Sequence, residues 1–167
     1  SIQYPLIELT AGLIAAFFVY QHGLSEVTFY SLVLSYSLLV LTGIDFHEQL
    51  LPDQITLPLL WVGLLANLNA SFVPLREAVL GAIAGYLSLW IVFWAFKMIT
   101  GKEGMGYGDF KLLGALGAWL GWQMLPLVIF LSTTLGATVG IAGIIFAGRN
   151  RETAIVFGPF LAIAGWI

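Results

Sequence analysis

From 124 to 147 the chain reads "MLPLVIFLSTTLGATVGIAGIIFA", an uncharged run long enough to cross a lipid bilayer as one helix. The rest of the sequence repeats the theme. Hydrophobic residues make up 60% of the 167 and charged residues 9%, whereas a soluble domain keeps its surface in water with roughly a quarter of its residues charged. The solvent for most of this chain must therefore be lipid. A helix crossing a hydrocarbon core of ~30 Å uses about 20 apolar residues. Scanning between charges and turn residues gives seven candidate spans, roughly 5–21, 27–46, 54–70, 75–97, 109–122, 124–147 and 153–167. The fifth is short, and the last ends with the chain. Strands of alternating polarity, which a membrane barrel needs, are absent. The expected fold is all-α, a polytopic membrane helical bundle with about seven transmembrane helices.

Seven alternating spans put the 47–53, 98–108 and 148–152 loops on one side. Lys97, Lys102, Lys111, Arg149 and Arg151 fall there, and Arg76 falls opposite. That bias marks the first side, which also carries Ser1, as cytoplasmic. Asp45, Glu48, Asp53, Glu103, Asp109 and Glu152 gather on the same face. A net charge of -3 makes no case for a nucleic-acid partner. With no cysteine, these residues hold no disulfide framework, iron–sulfur cluster or thiolate zinc site. The chain opens on Ser1 with no basic, cleavable leader after it, which reads as a fragment or processed product. Small residues four apart, at Gly81/Gly85, Gly117/Gly121 and Gly136/Gly140, are expected to let helix backbones approach closely.

Ionisable residues in or at the rim of a membrane are costly and functional by default. In "TGIDFHEQLLPDQITLP", from Thr42, Asp45 sits near the end of the second span, where the helix dipole disfavours a negative charge. It needs a cationic partner or a site that lets it hold a proton, and the second suits acid–base work. Asp53 follows Pro52 and precedes the third span, where a plain N-cap explains it. In "GMGYGDFKLLGALGAWLGW", Gly104, Gly106 and Gly108 precede Asp109 at the start of an apolar helix. A plain N-cap is one of two readings that the position of Asp109 allows, but a cap needs at most one glycine. Three suggest a backbone taking positive φ and lying close to other chains or a substrate. His47 and Glu48 lack the second histidine of a helical zinc-protease motif, since position 51 is leucine, and His22 falls on the opposite face. No nucleophile elbow for serine is present. If the helices bearing Asp45 and Asp109 meet, the two carboxyls share one proton over a useful pH range. One then takes a proton from water while the other hydrogen-bonds a scissile carbonyl.

"GMGYGDFKLL" resembles the GxGD signature of aspartyl intramembrane proteases. Together with "DFHEQLLPDQITLPLLWVGLL", from Asp45, it resembles the type IV prepilin peptidases of bacterial pili and type II secretion. "FGPFLAIAGW", from Phe157, is a third family-like stretch. Presenilin-type members carry tyrosine before their first aspartate, where this chain has Ile44. The resemblance implies that Asp45 and Asp109 are the catalytic pair. Gly106 and Gly108 match the signature glycines, and Pro52, Asp53 and Lys111 have supporting roles. It implies a substrate, a prepilin or pseudopilin, cleaved after a glycine behind a short basic leader, at the cytoplasmic face of the bacterial inner membrane. Many members also methylate the new N-terminus with S-adenosylmethionine. In these a span and a loop with two CxxC zinc pairs precede the matched region. "SIQYPLIEL" looks like the segment just after that loop. The expectation is one peptidase domain over 1–167 with no cofactor of its own, zinc and S-adenosylmethionine being possible only in a longer parent chain. Two other readings are a proton- or cation-coupled transporter and a noncatalytic scaffold. The transporter would favour carboxylates near mid-span.

Overall fold

The computed structural model describes residues 3–102, 104–147 and 157–167. Among them run seven α-helices: α1 (Gln3–His22), α2 (Glu26–Glu48), α3 (Asp53–Ala66), α4 (Leu75–Thr100), α5 (Tyr107–Leu120), α6 (Leu125–Ala147) and α7 (Gly158–Trp166). Local chemistry sets their ends. Ser25 caps α2, its hydroxyl oxygen accepting the Thr28 N–H at 3.3 Å. Gln49 closes α2 in the left-handed conformation at φ 52. Pro52 and Pro74 stand just ahead of α3 and α4, where a missing N–H breaks no helical bond. Gly101 ends α4 at φ 71.

All seven expected regions contain a helix, and the described helices differ in length. α1, α2, α4 and α6 are long and apolar enough to cross a membrane. α3 and α5 have 14 residues each and α7 has 9; at 1.5 Å per residue these reach about 21 Å and 14 Å, short of the ~30 Å core. The 54–70 region leaves the α-helix at Ala66 and turns through a 3-10 segment, Asn67–Asn69. The 109–122 region becomes Tyr107–Leu120, and the last region is described as helix from Gly158. Hydropathy does not tell a helix bathed in lipid from one sheathed in protein, and α5 is sheathed: Leu112 to Trp119 are all buried. Ser1, Glu103 and the 148–152 loop with Arg149, Arg151 and Glu152 lie outside the described residues.

α5 is the axis of the bundle, and its neighbours reach it through glycines. A methyl group at Gly81 would strike the Gly117 carbonyl oxygen, and one at Gly117 the Gly81 carbonyl oxygen. α4 and α5 thus touch backbone to backbone, as the small-residue spacing predicts. One turn along α4, a methyl at Gly85 would lie 2.5 Å from the Leu113 carbonyl oxygen. Gly63 of α3 makes room for the Trp119 indole, and Gly165 of α7 for Leu116. Gly136 of α6 faces the Phe160 ring, while Gly121 instead ends α5 at φ 80.

One end of α5 is tied down by hydrogen bonds. The Trp119 indole N–H donates to the Leu59 carbonyl at 2.8 Å. The fully buried Asn67 donates to the Ala118 and Trp119 carbonyls at 2.9 and 3.2 Å. Its own carbonyl oxygen accepts the Phe72 and Val73 N–H groups, each at 3.0 Å. Carbonyls that a helix C-terminus leaves unpaired are so satisfied from a neighbouring helix.

Candidate active site

The other end of α5 holds a cavity of about 500 Å³ whose walls include Asp45, Leu51, Asp53, Gly106, Asp109 and Lys111. Asp45 comes from the last turn of α2. The chain reverses there through Gln49, whose N–H bonds the Asp45 carbonyl at 3.0 Å, and re-enters as α3 at Asp53. Asp109 comes from the first turn of α5. Both acids are buried, Asp45 at 5% exposure and Asp109 at 6%. In an apolar bundle, two buried carboxylates on one cavity are costly unless paired, bonded or protonated.

Each carboxylate is held by backbone. Gly158, the first residue of α7, donates its N–H to Asp45. Gly106 donates its N–H to Asp109 Oδ2 at 3.2 Å. Asp109 is therefore not a plain N-cap, the reading the triple glycine already told against. Gly106 occupies that place, and Asp109 stands three residues on, its carboxylate reaching back to the Gly106 N–H as the acid half of a capping box does. The Asp109 carboxyl is pushed up to about 7, first by burial and second by the negative charge of Asp45, while the Gly106 N–H pulls the other way. α5 is not among the four helices long enough to cross, and Asp109 sits at its mouth.

The glycines of "GMGYGD" work differently from expectation. None of the three has positive φ; the left-handed glycine nearby is Gly101. A methyl at Gly108 would lie 2.6 Å from Leu51 Cβ, and one at Gly104 would lie 3.0 Å from the Phe96 ring. Close approach is thus their use, and at Gly108 the approaching group is Leu51. Gly106 has open space around it, with Asp109 Oδ2 at 3.8 Å from where a Cβ would stand.

Asp53 is the first residue of α3 rather than its cap, which is Pro52. Its carboxylate accepts both bonds of a bidentate ion pair from Lys111 Nζ, at 2.6 and 2.7 Å, tying α3 to α5 beside the cavity. Lys111, which lines the cavity, thus pairs with a half-exposed acid. His47 and Glu48 are exposed at the end of α2, and His22 is exposed at the end of α1. Two contacts escaped the sequence reading. The sequence alone assigns no role to Leu51, and "FGPFLAIAGW" stands out as a stretch without assigning a function to Gly158. A glycine before proline at the head of an apolar segment was the available signal.

The family model described as the type IV leader peptidase family matches residues 32–141, which take in both acids, all of α5 and most of α2. The chain belongs to this family. It is 55% identical over its whole length to a prepilin leader peptidase/N-methyltransferase of Aeromonas salmonicida, covering 57% of that relative. It is 53% identical to the one of Pseudomonas putida, covering 58%, and 50% identical to the one of Neisseria gonorrhoeae, covering 57%. The chain thus spans a little over half the length of these relatives. No solved structure matches it significantly.

Proposed function

We propose that residues 1–167 form the membrane-embedded peptidase part of an enzyme that removes the basic leader of type IV prepilins or pseudopilins, cutting after a glycine. The observation that carries this reading is the pair of buried carboxylates, Asp45 and Asp109, brought by separate helices to one cavity. At neutral pH such a pair shares a proton. Asp109, whose carboxyl is pushed up to about 7, holds it. Asp45 takes a proton from a water molecule, and the water oxygen bonds to the scissile carbonyl carbon. Asp109 meanwhile hydrogen-bonds the carbonyl oxygen that gains negative charge. As the C–N bond breaks, a proton passes from the pair to the leaving nitrogen, and the dyad returns to one shared proton. Gly106 orients Asp109 through its N–H. Gly108 admits Leu51, Pro52 opens α3, and the Asp53–Lys111 pair fixes α3 against α5.

The cavity faces the cytoplasm from the bacterial inner membrane in this reading. Lys97, Lys102 and Lys111 lie toward its end of the bundle and Arg76 lies toward the other, the bias of cytoplasmic loops. Acids at helix ends, rather than at mid-span, suit a peptidase acting at the membrane surface better than a transporter relay. None of these 167 residues is cysteine, so a thiolate zinc site is possible only in a longer parent chain, and the N-methylation and S-adenosylmethionine that the relatives' names imply are possible only there in this reading. Co-expression with a prepilin, read by gel shift, tests the proposal. Asp45→Asn and Asp109→Asn should each abolish processing while the protein still inserts. Normal processing by either variant would overturn the dyad.

A further inference from the structure

Gly158 lies outside the residues that the family model matches, yet it touches Asp45. Two observations single it out. Its N–H belongs to the first turn of α7, where no carbonyl of the same helix is available to it, and it donates to the Asp45 carboxylate. Its missing side chain is also a matter of space. A methyl group there would fall on Asp45 Oδ2 and would lie 3.2 Å from Leu51 Cδ1. Conformation does not explain the glycine, because Gly158 is not among the residues with positive φ.

Leu51 extends the contact to the other acid. The same side chain meets Gly158 through Cδ1 and Gly108 through Cβ, and Gly108 is the residue before Asp109. One buried leucine is therefore wedged between the backbone that bonds Asp45 and the backbone that leads into Asp109. A side chain at either glycine would push this wedge or the carboxylate itself.

We infer that Gly158 is a positioning residue for the reaction: α7 holds the Asp45 carboxylate by one N–H and by direct contact, and with Leu51 sets its place relative to Asp109. This rests on the peptidase reading of the two aspartates. α7 is then more than a wall of the bundle, because its docking completes the geometry in which a water can be activated. A single N–H also leaves the carboxylate further lone pairs with which to take a proton from that water.

The test compares Gly158→Ala with Gly165→Ala in the full chain, purified in detergent and assayed on a prepilin. Gly165 is on the same helix and equally crowded, but against Leu116 and away from the acids. Gly158→Ala should lower kcat by about 100-fold with KM within about twofold, as a displacement of about 1 Å at a reacting group does. Gly165→Ala should lower the melting temperature and leave kcat per folded molecule near wild type. If Gly158→Ala does not insert, Leu51→Ala reads the same geometry by removing the wedge, and its kcat should fall by about 10-fold. Retained kcat in Gly158→Ala, or in Leu51→Ala where only that variant folds, overturns the inference. So does a loss in Gly158→Ala that merely follows its folded fraction. Asp45→Asn is run alongside. If it cleaves normally, the peptidase reading fails and this inference with it. If it is inactive while Gly158→Ala is active, the positioning role alone fails.

Discussion

The two ends of α5 solve the same problem in opposite ways. Both bury polar side chains in an apolar bundle. At the Trp119 end, Asn67 bonds four backbone groups, two carbonyls on α5 and two N–H groups in the turn before α4. Every donor and acceptor of the amide is used, and Trp119 adds a bond to α3. At the Asp109 end, the buried groups are two acids beside a cavity of about 500 Å³, with Gly106 and Gly158 as backbone donors. A neutral amide with all its bonds made stabilises an interior, while two carboxylates sharing a cavity leave unused capacity to bind and move protons. One end holds the bundle together, and the other keeps two acids open to a cavity.

Exchanging the polar groups should break this contrast most sharply. Asn67→Ala orphans four backbone groups, and thermal unfolding in detergent should show a stability loss on the order of 3 kcal/mol. Cleavage per folded molecule should stay near wild type. The Asp109→Asn variant already predicted to be inactive should show the reverse, with its melting temperature held or raised. A smaller effect is expected at the Asp53–Lys111 pair, which sits beside the cavity but is partly exposed. Lys111→Met should cost less than about 1 kcal/mol of stability, and at elevated salt the difference should shrink. A loss of all activity in Lys111→Met would move the lysine from support of α3 and α5 into the chemistry.

The legible part of the molecule was the part written in single residues and simple runs. Charge bias and apolar length put Asp45 and Asp109 at one end of an all-helical bundle, and both acids do line one cavity there. The spacing of Gly81, Gly85 and Gly117 foretold the close contact of α4 and α5. What escaped depended on partners distant in the chain. Asp53 read as a cap because Lys111, 58 residues on, does not announce itself as its partner. Asn67 read as the tail of a span because its bonds run to carbonyls 51 and 52 residues away. α5 read as a possible crossing because an apolar run carries no mark of what will surround it. Gly158 looked like any glycine before a proline until α7 docked against α2.

The account rests on Asp45 and Asp109 acting as one electrostatic unit, and infrared titration of the buried carboxyl C=O stretch tests this directly. In the wild type, the protonated Asp109 signal should persist at mildly acidic pH and fade as pH rises through about 7. Burial supplies the larger part of that upward displacement and the Asp45 charge the smaller. Asp45→Asn removes the charge and leaves Asp109 buried, so the Asp109 signal should fade at a distinctly lower pH, still above the ordinary carboxylate range. An Asp109 titration that Asp45→Asn leaves unmoved would contradict the pair.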